Sequence, residues 1–323
     1  MEQKKNKLSI LLPVYNTVCV GFVRQLQAIA DEAGIVYEII VADDASTDRS
    51  CVEQNGQLNQ LEHCRYIIKE VNTGAAATRN FLARQSRYPW LLYLDCDMQL
   101  PGTQLLTRYL ASLDAPVVMG GICFGGDAEQ LRSNLRYRYE TVEAQNHTAE
   151  RRQQRPYQSF RSCNFLISRD TMLNCPFDER FKKSGYEDVM LGKQLNQQHI
   201  AIAHIDNPVL MTDYETNEDY VSKVERSLHV LHEFRHDLKG YSRLLTLTDG
   251  IHIGLVRCCI TLFHRLFGGM MRHNLCGQHP NLTVFKLYRL GYYLSINNLK
   301  KQLLWIQIKI CRNWNRCVSR WTS

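Results

Sequence analysis

Two apolar runs in this chain end on paired carboxylates, and no other feature limits its fold as strongly. Residues 37–42 close on Asp43-Asp44, and residues 90–94 close on Asp95-Cys96-Asp97. Both runs have the length of a buried strand and carry branched or aromatic side chains. An earlier apolar run over 8–14, broken by Pro13, supplies a first strand. Behind it, Phe22, Leu26, Ile29, Ala30 and Ala33 recur at helical spacing and stop at Gly34, which is how a helix face and its terminator read. The spacing predicts a second helix over 75–86 and further strands near 66–69, 117–124, 165–168 and 200–205. Strand, helix, strand units build parallel sheets flanked by helices, so the class is α/β. Ligands of such sheets gather beyond the carboxyl ends of the strands, which predicts that the two acidic ends meet at one site.

Beyond the strands, residues 144–160 are polar, with Arg151, Arg152, Arg155 and Pro156, and are expected to form a mobile loop. From Tyr220 the pattern turns helical, with Val221, Val224, Leu228, Leu231 and Phe234 on one stripe. There is no internal repeat. The expected organisation is a catalytic domain over 1–215, a helical connector over 216–250 and a basic amphipathic tail over 251–323.

Charge supports that division. The net charge of +7 hides a tail with eleven Lys and Arg and no Asp or Glu after residue 250, which leaves 28 basic against 32 acidic residues in the body. A mildly acidic body argues against nucleic acid as partner, whereas the tail suits an anionic membrane surface. On a helix over 251–271, Ile251, Leu255, Leu262, Leu266 and Met270 share one side, and Arg257, Thr261, His264, Arg265 and Arg272 fall toward another. Arg257 and Arg265 would sit mid-span, so this helix is not expected to cross a bilayer. A second stretch, 282–310, mixes Tyr, Leu and Ile with Lys, as interfacial helices do. The alternative is that both pack on the catalytic domain or on a second subunit. Twelve cysteines are scattered, with only Cys258 and Cys259 adjacent, no C-x-x-C pair and no secretory leader ahead of them; they read as small core residues in a reducing cytoplasm, not as a zinc site.

The chemistry lies in the acids. Carboxylates at i and i+2 after a strand, as in Asp95-Cys96-Asp97, place oxygen donors near one hard divalent cation that bridges a diphosphate. An isolated D-x-D is more often a solvated loop, and here the position after a strand and the upstream Asp43-Asp44 favour the functional reading. That upstream pair suits hydrogen bonds from a pyrimidine base and a ribose; the alternative for Asp44 or Ser46 is a helix cap, which the following polar residues also permit.

Taken in order, the segments 11–16 (Leu-Leu-Pro-Val-Tyr-Asn), 43–48 (Asp-Asp-Ala-Ser-Thr-Asp), Asn72-Thr73-Gly74 with Arg79-Asn80, Asp95-Cys96-Asp97, and 177–181 (Phe-Asp-Glu-Arg-Phe) leading to Gly185-Tyr186-Glu187-Asp188 resemble the motifs of family 2 glycosyltransferases with the GT-A fold. The resemblance covers residues 8–190. It implies a Rossmann-like three-layer sandwich with a mixed, mainly parallel sheet, followed by a C-terminal helical region. It also implies an inverting transfer of a hexose from a nucleotide-diphosphate-sugar, a UDP-sugar above all, to an acceptor hydroxyl. Pro13 and Tyr15 would line the nucleoside pocket, Asp43 and Asp44 hold base and ribose, Arg79 face the diphosphate, Asp95 touch the donor ribose or sugar, and Asp97 ligate Mn2+ or Mg2+. Asp188, paired with Glu187, would be the general base, although both acids might simply favour a helix N-terminus.

One departure stands out. The family's Asp-Asn-Pro segment is followed, two residues on, by a histidine, whereas Asp206-Asn207-Pro208 here leads to Met211. His204 is the nearby imidazole that might substitute as a metal ligand. The expected acceptor is a saccharide or lipid-linked saccharide in surface polysaccharide or glycan assembly, with the chain in the cytoplasm or peripheral on the cytoplasmic face of a membrane. Competing readings are a nucleotidyltransferase, disfavoured because no glycine-rich loop follows the first strand, and a degenerate, non-catalytic nucleotide-sugar-binding module.

Overall fold

The computed structural model describes residues 7–296. Its elements run β1 (Lys7–Val14), α1 (Val20–Glu32), β2 (Val36–Asp43), α2 (Arg49–Gly56), β3 (Cys64–Ile68), α3 (Ala75–Gln85), β4 (Trp90–Leu94) and α4 (Gln104–Leu110). The order continues with β5 (Val117–Met119), β6 (Ile122–Phe124), α5 (Leu135–Glu143), α6 (Ala149–Gln153), β7 (Asn164–Ser168), α7 (Arg169–Asn174), α8 (Glu187–Gln197), β8 (Ile202–His204) and β9 (Val209–Met211). Helices α9 (Asn217–Glu233), α10 (Arg243–Gly250) and α11 (Gly254–Cys276) follow, and α12 covers 282–296. The remainder of the expected basic tail, 297–323, lies outside the described residues, as do residues 1–6.

The main sheet has the order β3-β2-β1-β4-β7-β5-β8. β3, β2, β1 and β4 are mutually parallel, β7 is antiparallel to β4 and β5, and β5 pairs parallel with β8. Alternation along the strands sorts two cores onto its two faces. Leu8, Ile10, Leu12 and Val14 of β1 pack toward α1 and α4, while Leu11, Ile40 and Tyr93 pack toward α3, α7 and α8. The result is the expected three-layer sandwich of GT-A type, with a mixed, mainly parallel sheet and a helical C-terminal region.

Two expectations need correction. The run 117–124 is not one strand, because Gly120 and Gly121 break it and send β6 to pair with β9 in a separate two-stranded sheet. A Cβ on Gly120 would meet the Tyr109 hydroxyl at 2.4 Å, and Gly121 holds φ +95, a conformation that favours glycine. The stretch 144–160 is not a mobile loop. Thr148 caps α6 through the Arg151 amide, and Arg152 is buried with its guanidinium donating to the carbonyls of His147, Gly120 and Ile205. The Gly120-Gly121 break exposes carbonyls that need donors, and a fork of N–H groups supplies them.

The C-terminal helices pack on the body. Leu228, Leu231, Phe234 and Leu245 join the core beneath α8, and Met271, Leu275, Phe285 and Tyr288 cluster with Leu135, Tyr220 and Val221. The orientation of α11 is the unexpected part. Its buried edge is Gly268, Met271 and Leu275, while Leu255, Leu262, Leu266 and Met270 face solvent. No helix among the described residues is long and apolar enough to cross a membrane.

Candidate active site

Because β1, β2 and β4 are parallel, residues 13–16, 43–48 and 95–97 emerge at one edge of the sheet. Pro13 is half-buried and Tyr15 is 46% exposed, so this face remains open to a flat ligand. Asn16, which sequence reasoning did not single out, ties two of these loops together. It adopts φ 50, its amide donates to Ser46 Oγ at 2.7 Å, and its Oδ1 accepts from the amides of Thr47 and Asp48 at 2.8 and 2.9 Å. An asparagine before an acidic loop, able to adopt a left-handed backbone, was the available signal. Asp48, and neither Asp44 nor Ser46, caps α2.

Asp43 and Asp44 both accept from protein donors. Asp43 is 0% exposed, with one oxygen accepting from the Ser46 amide and the other from the Tyr66 hydroxyl. Asp44 accepts from Lys69 Nζ at 2.6 Å and from the amides of Thr73 and Gly74 at 2.9 and 2.8 Å. Burial raises the Asp44 carboxyl, but Lys69 and the two amides together hold it below its ordinary value. Both acids thus accept from protein donors and shape the loop into α3.

That loop reaches the last motif. Gly74 precedes α3 at φ +89, and a Cβ there would stand 2.6 Å from the carbonyl oxygen of Lys182. Gly74→Ala is expected to cost about 2–3 kcal/mol of stability, from backbone strain and the clash with a main-chain oxygen. Urea unfolding that gives an unchanged midpoint would show that the 72–74 and 182 segments do not press together.

Helix α3 carries two connectors. Asn80 clamps Phe177 by both main-chain groups, each at 2.9 Å. Arg79 is 4% exposed, donates to Asp95 Oδ1 at 2.9 Å and lies 3.8 Å from Glu187 Oε1, with its guanidinium over the Phe177 ring. Its Nη2 is held by Asp95 and its charge faces Glu187, carboxylates from two different motifs, while Nε and Nη1 make no hydrogen bond among the described residues. Glu187 also accepts from the Gly185 amide. Burial, then the Asp188 charge, raises its carboxyl, with Arg79 pulling the other way. Gly185 and Tyr186 both hold left-handed φ values, 124 and 68, and that turn starts α8 at Glu187-Asp188. The two acids do occupy a helix first turn, as the blander reading held, yet they occupy it beside Asp95. Asp188 is half-buried, close enough to Arg161 for their charges to interact.

Beside this cluster is a cavity of about 760 Å³, whose lining includes Asp97, Arg136, Lys183, Ser184, Met211 and Lys223. Asp97 is exposed on the cavity wall, and the protein crowded around it, then the neighbouring Asp95 charge, push its carboxyl above its ordinary value. Met211, at the position of the missing imidazole, lines the same cavity. His204 does not: its Nδ1 accepts from Arg152 Nε at 3.2 Å and its Nε2 lies 3.0 Å from the Pro156 carbonyl. Burial lowers it to about 4, so the ring is neutral and engaged on both nitrogens. The tentative ligand role for His204 is thereby corrected to a packing one. Among the described residues no three His, Cys, Asp or Glu side chains are grouped to hold an ion. Asp97 fits the other arrangement open to a hard cation, one carboxylate with substrate phosphates completing the shell.

The site thus gathers Asp44, Arg79, Asp95, Asp97, Glu187 and Asp188 by contact or by shared loops, and excludes His204. Curated relatives in Haemophilus influenzae, two uncharacterized glycosyltransferases, are 37% identical over 90 residues and 29% identical over 91 residues. Each match covers 28% of this chain, and 29% and 36% of the relatives, so only about a third of their length is spanned. Crystal structures of S. aureus TarS 1–349, alone and in complex with UDP-GlcNAc, are similar at 15% identity and a TM-score of 0.47. These matches cover 92% of this chain and 91% and 92% of the TarS chains. The model of glycosyl transferase family 2 matches residues 9–175, just over half of the sequence, and with the motifs in order along one sheet edge the chain belongs to that family.

Proposed function

We propose that the chain transfers a sugar from a UDP-sugar to an acceptor hydroxyl by single displacement with inversion. The observation that carries the reading is Arg79, which joins Asp95 at the end of β4 to Glu187 at the start of α8 beside the cavity walled by Asp97. Tyr15 and Pro13 supply the open face for the nucleoside. Arg79 fixes Asp95 toward the donor ribose or sugar, and the same guanidinium holds Glu187 inward. A divalent cation, Mn2+ or Mg2+, on Asp97 would supply positive charge for the leaving diphosphate. Asp188 takes the proton of the acceptor hydroxyl as the new bond to the anomeric carbon forms on the face opposite the departing nucleotide. Lys183, Arg136 and Lys223 line the remaining volume, where the acceptor, a saccharide or lipid-linked saccharide in glycan or surface polysaccharide assembly, has room to bind. Burial of Cys19, Cys51 and Cys175 as core residues supports a reducing, cytoplasmic setting.

Met211 in the cavity favours one second reading, a binder of nucleotide-sugars without turnover. A panel of nucleotide-sugars, screened for thermal stabilisation with and without manganese and then for nucleotide release, separates the two. A donor at a hundredfold excess over its Kd stabilises by about 2.7 kcal/mol, a shift of several degrees. Stabilisation followed by acceptor-dependent nucleotide release is the expected result; stabilisation with no release supports the binder, and no stabilisation by any donor removes both.

A further inference from the structure

Helix α11 turns its apolar side away from the protein. It meets the body through Gly268, Met271 and Leu275, whereas Leu255, Leu262, Phe263, Leu266, Phe267 and Met270 are each between 40% and 72% exposed. At 3.6 residues per turn these six fall within an arc of about 140°, opposite the buried edge. Single exposed leucines need no explanation, but a contiguous apolar ridge four turns long marks an interaction surface.

Charge identifies the occupant. The chain after residue 250 has eleven Lys and Arg and no Asp or Glu. A second copy docked ridge to ridge would set one cationic helix against another. The chain's own residues 297–323, with Lys300, Lys301, Lys309, Arg312, Arg316 and Arg320, would do the same. A bilayer with anionic headgroups complements both properties, taking the apolar ridge among its acyl chains and the cations at its phosphates. We propose that α11 lies in the plane of an anionic membrane, with the Leu255 to Met270 ridge inserted and exposed Arg265, about 60° outside the arc, at headgroup level. The inference rests on this helix face and the charge distribution, and stands apart from sugar transfer.

Flotation of the full chain with vesicles tests it. Binding is expected to vesicles of phosphatidylcholine and phosphatidylglycerol in equal parts, and to be much weaker with phosphatidylcholine alone. The double change Leu262→Ser with Leu266→Ser removes apolar area without adding charge, and is expected to weaken partition on the order of tenfold. Its thermal midpoint should be that of the parent, because both side chains are solvent-exposed. Undiminished binding by the double variant overturns the proposal, since charge or another segment then suffices. A parent chain that ignores the anionic vesicles overturns it as well, and loss of a dimer in the variant by sedimentation would then assign the ridge to a second copy.

Discussion

Asp188→Asn is expected to slow transfer by about 10³-fold while leaving donor binding within roughly threefold of the parent. The amide keeps the shape of the carboxylate and cannot take a proton, so the chemical step is what changes. Position supports the assignment. The turn at Gly185 and Tyr186 fixes where α8 begins, and Lys183 and Ser184 just ahead of it line the cavity. Glu187 is the weaker candidate for the base, because one of its oxygens accepts from Gly185 and the other faces Arg79. Its part is to hold Arg79, and through Arg79 to hold Asp95. Initial rates of nucleotide release with saturating acceptor, beside thermal stabilisation by donor in the same variant, make the measurement. A kcat within about threefold of the parent would remove Asp188 from the reaction.

The frame was legible because burial and periodicity are properties of sequence. The strands over 8–14, 37–42 and 90–94 alternate or saturate with apolar side chains, and the acids that end two of them had to share an edge once the strands ran parallel. What sequence could not show is which polar groups satisfy one another. Asp43 and Asp44 have the residue types of ligand acceptors, yet Tyr66, Lys69 and the 73–74 amides lie where folding brings them and take those oxygens first. The motif places Arg79 at the site and is silent on the Asp95 and Glu187 carboxylates that hold it. The polar composition of residues 144–160 predicts a mobile loop because nothing local reveals that carbonyls near Gly120 await Arg152. The periodicity of α11 gave the apolar side correctly and was silent on whether protein or solvent would lie against it. Glu38 illustrates the opposite case, a buried carboxylate satisfied by Ser9 and Arg87 near the other end of the same strands, with no role at the site.

Asp97→Ala is expected to lower kcat/KM by about 10²–10³-fold and to abolish the dependence on manganese. The two effects belong together if Asp97 is the carboxylate through which a cation meets the diphosphate, because the charge that the leaving group gathers then loses its nearest compensation. The departure at Met211 sharpens the expectation. With a thioether where an imidazole would stand, and with His204 neutral and bonded elsewhere, no histidine among the described residues lines the cavity beside Asp97 to help retain the ion. Asp95 is already tied through Oδ1 to the buried Arg79 guanidinium at 2.9 Å, which leaves Asp97 as the freer carboxylate of the pair. Calorimetric titration of manganese into the chain with its nucleotide-sugar, parent beside variant, reads the effect independently of turnover. Undiminished manganese affinity in Asp97→Ala would place the ion elsewhere and leave the raised Asp97 carboxyl as a feature of the cavity alone.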